Sequence, residues 1–217
     1  MGMFSEATGG ILRLPKFRWA MPVGTGTIRI SAGQLDTVLK QIEEVTLRAK
    51  KLLAGRSQTD LTSSVESASW SVAQCLDHLA QTTNAFIPAI SSAIARAPRL
   101  TTNRALRTGA LTRVFIRNLQ PPYRRRFKVP APLVPRQHDF NSAWDVFEKS
   151  QAQLAKTIRS AAGLAIDQVR VESPVYARFS YNVYGALRML TAHEFRHLWQ
   201  IEQVLKQLDD AQIGAAS

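Results

Sequence analysis

Four long segments of the chain carry apolar residues at the three- and four-residue spacing that places them on one face of an α-helix. The segments span residues 36–54, 71–97, 140–162 and 182–208. No segment of useful length alternates apolar and polar residues with the period of two that is typical of a half-buried strand. A proline-rich connection separates the second segment from the third. The pattern therefore predicts an all-α fold, a four-helix bundle with a long crossover between its second and third helices.

Capping patterns sharpen the predicted helix ends. Ser71 followed by Gln74 fits a capping box, in which the two side chains satisfy free amides of the first helical turn. Asp139 is the predicted N-cap of the third helix, and Gly55 and Gly163 are predicted stop signals for the first and third helices. A shorter basic helix is expected within the long connection.

The chain divides into three predicted parts. Residues 1–33 are rich in glycine and show no sustained period, so we predict an irregular N-terminal extension. Residues 34–210 form the predicted bundle, with a polar linker over 56–69. Residues 211–217 form a predicted C-terminal tail.

The charge of the chain is high and uneven. The formal net charge is +12, and no Asp or Glu occurs between Leu79 and His138, where basic residues recur and culminate in the run from Arg124 to Lys128. Such a surface attracts nucleic acid, anionic membranes or acidic small molecules. No recognised nucleic-acid motif accompanies it, and few aromatic residues are interleaved. A solvated basic face, or a rim for an anionic substrate, is therefore preferred over nucleic-acid binding.

The sequence favours a cytoplasmic protein. Cys75 is the only cysteine, so a disulfide framework is excluded and a reducing compartment is expected. The first residues lack the continuous apolar core of a signal peptide. No apolar run approaches the length of a membrane span, so no membrane association is expected.

The segment from His193 to His197, with the sequence HEFRH, lies within the last predicted helix. Two histidines four residues apart project from one helical face, which suits two nitrogen ligands of one metal ion. They interrupt the apolar stripe of this helix, and burying two imidazoles is unfavourable unless their nitrogens are satisfied. A divalent cation satisfies them, and a structural histidine pair is the alternative.

The same letters match HExxH, the pattern of zinc proteases. Those enzymes draw a third ligand from downstream, either a distant Glu or a His six residues after the second His of the pattern. Residue 203 is Gln, and Glu202 is the only Glu that follows His197. The protease interpretation lacks its third ligand, so we predict that the protein is not a zinc protease.

Two further histidines are candidates for the third ligand. His78 lies at the edge of the apolar stripe of the second helix, on a helical face whose other residues are small. Small side chains there leave room for a metal. His138 lies in the proline-rich crossing and is interpreted as a solvated loop residue. Cys75 could be a soft ligand or a reactive thiol, but a buried packing role is preferred. Three histidines from two helices would leave positions open for water or substrate.

Two segments carry a family resemblance. Residues 70–79, WSVAQCLDHL, resemble the second-helix signature of the DinB-like superfamily, also called DinB/YfiT-like, and residues 192–202, AHEFRHLWQIE, resemble its fourth-helix signature. Residues 127–132 resemble its crossing segment, and the whole resemblance covers about 35–208. It implies a four-helix bundle with a long crossover. It also implies a divalent nickel, zinc or iron ion held by His78, His193 and His197.

The resemblance also implies a range of functions. Some members of the family are similar to thiol-dependent S-transferases or isomerases, and others to hydrolases. We expect a metal-dependent enzyme acting on a small molecule, most similar to an S-transferase that uses a low-molecular-weight thiol. A metal-dependent hydrolase, or a non-catalytic basic bundle that binds nucleic acid or another anionic partner, is the alternative. A homodimer is compatible with the family.

Three expectations concern the residues and the pH dependence of the site. Glu194 is a candidate catalytic base, or a group that orients His78, with a surface carboxylate as the alternative. Arg196 is expected to project elsewhere and to serve structure or a partner surface. Since imidazole binds metal only when neutral, occupancy is expected to fall below a pH of roughly 6.5.

Overall fold

A computed structural model describes residues 29–65, 69–121, 123, 128–136, 139–176 and 178–215. The helices are α1 (Arg29–Leu53), α2 (Gln58–Thr62), α3 (Val72–Ala95), α4 (Ala110–Leu119), α5 (Phe140–Ser160) and α6 (Val183–Ala215). A 3-10 helix spans Ala131–Leu133, and strands β1 (Arg170–Glu172) and β2 (Ser180–Asn182) pair antiparallel. The predicted all-α class is confirmed.

Four long helices form the bundle. α3 contacts α5 and α6, and α1 contacts the same two helices. The long crossover runs from α3 to α5 and carries α4, which packs on α6, and the 3-10 helix, which packs on α3. The predicted crossover between the second and third long helices is therefore confirmed. Within the described residues, no helix combines the length and apolarity needed to cross a membrane.

Helix ends agree with the predicted caps. Ser71 Oγ accepts from the amide of Gln74 at 3.3 Å, and Gln74 Oε1 accepts from the amide of Ser71 at 3.0 Å, so the capping box is present. Asp139 Oδ2 accepts from the amide of Ser142 at 2.8 Å at the start of α5. Gly163, three residues after α5, has a φ of 72°, a conformation that favours glycine.

Two predicted boundaries were wrong. α1 begins at Arg29, so residues 29–33 are helical and do not belong to an irregular extension; residues 1–28 lie outside the described part of the chain. α6 continues to Ala215, beyond the end of the predicted bundle at residue 210. The reason is that residues 30–33 and 211–214 add no buried apolar side chain to the stripe of either helix, so the apolar pattern did not reveal these turns. The division of the chain into domains stays a prediction.

The sequence pattern missed two short elements. α2 lies within the predicted linker, where Ser57 and Asp60 form a second capping box and Leu61 is the one buried residue. The β1–β2 hairpin has three residues in each strand, and each strand buries only its central residue. Elements this short show no detectable period.

A polar layer separates two apolar core clusters. One cluster surrounds Phe86, Leu154 and Leu190, and the other surrounds Leu76, Phe147 and Leu198. Between them along the helices lie buried polar residues that define the polar layer, namely Thr82, Thr83, Ser150, Gln151, Glu194 and His197. Burying a polar group costs free energy unless the group has a hydrogen-bond partner or binds an ion. The residues of this layer are therefore candidates for a functional role rather than for packing of the core.

Candidate metal centre

Helices α3 and α6 bring three imidazoles together at the edge of the polar layer. His193 Nε2 lies 3.2 Å from His78 Nε2 and 3.1 Å from His197 Nε2. Nitrogen ligands about 2.0–2.1 Å from one ion are about 2.9–3.4 Å apart at angles between octahedral and tetrahedral. Among the described residues, these three form the group of His, Cys, Asp or Glu whose ligand atoms could hold a metal. The structure thus brings the three predicted ligands together, with their ligand atoms all within 4.8 Å of one another.

A backbone carbonyl fixes the orientation of His78. The His78 Nδ1 atom donates to the carbonyl oxygen of Leu133 at 2.7 Å. That bond leaves the lone pair on Nε2, which faces the other two rings. The crossover therefore contributes to the site through its 3-10 helix, which contains Leu133. The group that orients His78 is the Leu133 carbonyl and not Glu194, which we had considered for this role. Sequence reasoning could not find this contact, because a backbone carbonyl leaves no residue signature.

The three imidazoles are held in the neutral form. Burial lowers the pKa of His78, and the Leu133 carbonyl and Asp77 offset only part of that effect. Burial, with the charges of His78 and Arg196, lowers the pKa of His193 to about 3, and burial lowers the pKa of His197 well below its usual range. The Nε2 atom of His193 lies within 3.2 Å of the Nε2 atoms of both other rings, and a cation between the three rings would accept a lone pair from each of them. This donor set suits zinc, nickel or iron.

We expect metal loading to resist mild acid. A lowered imidazole pKa means that protons compete with a metal only at lower pH, so the midpoint of metal loss should fall well below the ordinary imidazole value of about 6.5. Elemental analysis after equilibration across a pH series measures this midpoint, and substantial loading should persist at about pH 5.5. A midpoint at or above 6.5 would mean that the rings are solvated and behave as free histidines.

One side of the triad is covered and the other is more open. The ring of Trp70 lies 4.8 Å from that of His78 and 5.9 Å from that of His197, measured between centroids. Trp70 therefore shields these two imidazoles from solvent. His193, Arg196 and Tyr123 are half-buried, so among the described residues the exposed surface beside the triad lies on their side.

Glu194 belongs to a separate buried cluster. Its Oε1 atom accepts from Thr83 Oγ1 at 3.2 Å and from Gln151 Nε2 at 3.0 Å, so the carboxyl faces α3 and α5. Burial raises the pKa of Glu194 to about 7, although the two hydrogen bonds lower it in part. The side chain is fully buried, unlike the surface carboxylate that was the alternative. Its role as a catalytic base stays a prediction.

Arg196 flanks the imidazoles on the side opposite Glu194. At about 100° per residue, Arg196 is rotated about 60° from His193 in one sense and Glu194 about 100° in the other. The Arg196 guanidinium lies 5.4 Å from the centre of the Tyr123 ring. Its charge contributes to the lowered pKa of both His193 and His197. The guanidinium packs on Tyr123, and the expected role of Arg196 in structure or at a partner surface stays a prediction.

The remaining candidates have different surroundings. Cys75 is completely buried, and burial raises the pKa of its thiol to about 12. A reactive thiol needs a lowered pKa and access to solvent, so these surroundings favour a packing role for Cys75. His138, interpreted as a loop residue, lies outside the described residues, as do Arg124–Arg126. In the described part of the basic stretch, Arg104 pairs with Asp167 at 2.5 Å, while Arg113 and Arg117 on α4 are exposed.

The family comparison agrees with this geometry. The model of the DinB superfamily matches residues 41–201, which include all three imidazoles, the whole of α3 and the part of α6 up to residue 201. Comparisons with curated proteins and with solved structures give no match. The match spans most of the sequence and confirms the resemblance of the two histidine-bearing segments. The chain belongs to the DinB superfamily.

Proposed function

We propose that this protein is a divalent-metal-dependent enzyme that acts on a small molecule, with thiol transfer as its reaction class. The observation that carries the proposal is the convergence of three neutral imidazoles from α3 and α6, one of them oriented by the Leu133 carbonyl. A divalent cation would offset the free-energy cost of burying these three imidazoles together, which supports a metal-binding role for the set. His78, His193 and His197 are the proposed ligands.

The surrounding residues have distinct proposed roles. When bound, a divalent metal supplies Lewis acidity and lowers the pKa of a coordinated thiol or water. Trp70 excludes water from one side of the rings, and the half-buried side at His193 admits the substrate. Glu194 remains enclosed by its contacts with Thr83 and Gln151.

Thiol transfer is preferred over hydrolysis because Glu194, the predicted candidate for a base that activates water, already accepts hydrogen bonds from Thr83 and Gln151. No carboxylate among the described residues joins the triad. A free thiol has a pKa of about 8.5, whereas bulk water is near 15.7, so a thiol needs a far smaller shift to become a nucleophile at neutral pH. A cytoplasmic location belongs to the same proposal, since low-molecular-weight thiols are kept reduced there.

Metal-loaded, untagged protein assayed with thiols and an electrophile tests this function. Nickel-, zinc- and anaerobic iron-loaded samples are each given glutathione, bacillithiol or mycothiol with an aryl chloride, and conjugates are measured by mass spectrometry. Conjugate should form only when both metal and thiol are present, and metal-free protein is the control. Ester or amide hydrolysis by the same loaded samples without thiol would favour the hydrolase instead. Bound metal without either turnover would contradict an enzyme of these classes.

A further inference from the structure

We propose that a pocket between α1, α4 and α6 is a second binding site, which takes the carboxylate group of a small molecule. Six polar residues are among those that line this pocket, namely Gln34, Thr37, Gln41, Gln120, Arg188 and Thr191. None of the three imidazoles lines it. The pocket is therefore distinct from the metal centre, and the inference does not depend on the proposed enzymatic function.

A chain of contacts holds Arg188 in this pocket. Its guanidinium lies 5.8 Å from the centre of the Tyr184 ring, and its Nη1 atom donates to Thr108 Oγ1 at 3.4 Å. Tyr184 is buried, and its hydroxyl accepts from Gln34 Nε2 at 3.2 Å. Gln34 also donates to the carbonyl oxygen of Leu106 at 3.1 Å and accepts from its amide at 2.7 Å. The cation is thus positioned before any ligand binds.

Arg188 differs from the other half-buried arginines in its charge partner. Arg48, Arg56 and Arg104 each form a salt bridge with a carboxylate. Among the described residues, no carboxylate lies within salt-bridge distance of Arg188, and no Asp or Glu lines the pocket. A guanidinium has five N–H donors, and Thr108 accepts from only one nitrogen of this group. Arg188 therefore retains both a charge and donors with which to hold an anion.

Two amide side chains add neutral donors to the pocket. Gln41 and Gln120 are half-buried, and in the described part of the chain neither side-chain amide has a hydrogen-bond partner. The cavity has a volume of about 20 Å³, which is room for one or two water-sized groups. One guanidinium with neutral amides matches a single negative charge shared by two oxygens. This balance and this size favour a carboxylate over a phosphate dianion.

Titration of isotope-labelled, full-length, zinc-loaded protein with propionate tests the inference, with propionamide as the uncharged probe of the same shape. Nuclear magnetic resonance follows the Arg188 Nε–H signal and the backbone amides of the pocket. Propionate should shift these signals saturably in the millimolar range, and propionamide should not. Arg188→Gln should weaken propionate binding by more than about tenfold, and Arg188→Lys should weaken it less because the charge remains.

Matched variants separate the pocket from other sources of binding. Gln41→Leu removes an amide without breaking a hydrogen bond among the described residues, so it should keep the unfolding temperature and weaken propionate about three- to tenfold. Arg113→Gln removes a charge from an exposed position on α4 and should leave the affinity unchanged. His193→Ala should also bind propionate as the wild type does, which would exclude the metal centre as the source.

Three results would overturn the inference. The first is an equal response to propionate and propionamide, including no response to either. The second is a propionate affinity that Gln41→Leu leaves unchanged, and this variant decides the matter if Arg188→Gln does not fold. The third is an equally strong shift at Arg113, which would reveal only the general attraction of a basic surface for anions. A protein that binds propionate in the pocket but no metal would contradict the proposed function alone.

Discussion

Replacing His193 with Ala is expected to weaken divalent metal binding by more than about 100-fold. His193 is the shared member of the triad, because its Nε2 atom lies 3.2 Å from that of His78 and 3.1 Å from that of His197. Without His193, the metal would keep only two protein ligands, the Nε2 atoms of His78 and His197. Titration of metal-free protein with nickel, zinc or cobalt measures the affinity, and thermal unfolding gives a second readout. Metal should raise the unfolding temperature of the wild type and leave that of the variant unchanged.

The chain offers a matched control for this experiment. His138→Ala removes the same side chain from a position that we predict to be a loop, and it should keep stoichiometric metal. If His193→Ala still bound one equivalent tightly, or if His138→Ala lost its metal, the assignment of the three ligands would be wrong.

Replacing Glu194 with Gln is expected to stabilise the metal-free protein above neutral pH. The pKa of Glu194 rises from 4.5 to about 7 on folding, so the folded chain holds a proton that the unfolded chain releases between these values. The unfolding free energy of the wild type therefore falls as pH rises through this range, by about 3 kcal/mol for this group. The variant lacks this loss, so it should match the wild type near pH 4.5 and exceed it at pH 8.

Urea denaturation of both metal-free proteins at several pH values tests this prediction. Glu202→Gln is the control, because it makes the same change on the same helix in a partly exposed pair with Arg48 and should cost no more than about 1 kcal/mol. A Glu194→Gln protein that is less stable than the wild type at pH 8 would show that the buried carboxylate is stabilised in its ionised form. Activity of the loaded variant separately tests the predicted catalytic role of Glu194.

Helical periodicity carried most of the fold prediction. Long amphipathic segments repeat their apolar positions often enough to identify α1, α3, α5 and α6, and the caps at Ser71 and Asp139 follow from local hydrogen bonding alone. Elements of three to five residues bury a single side chain each, so α2 and the hairpin could not be recognised in this way. The ends of α1 and α6 were misplaced because the outer turn of each helix adds no buried apolar side chain to its stripe.

The candidate site was predictable where it depends on spacing within helices. His193 and His197 share a face because of the helical repeat, and the small residues beside His78 indicated room for a close approach. The Leu133 carbonyl could not be predicted, since any residue supplies that group. The directions of Glu194 and Arg196 depend on which helices pack on either side of α6, and that arrangement is tertiary. The polar layer could not be predicted for the same reason, because its residues come from three helices that meet only in the folded bundle.

X-ray absorption at the metal edge of untagged, loaded protein tests the central claim most directly. The account predicts one metal per chain with three imidazole ligands at about 2.0–2.1 Å, completed by light atoms from water or buffer. A first shell with fewer than three imidazoles, or with a sulfur atom from Cys75, would contradict it.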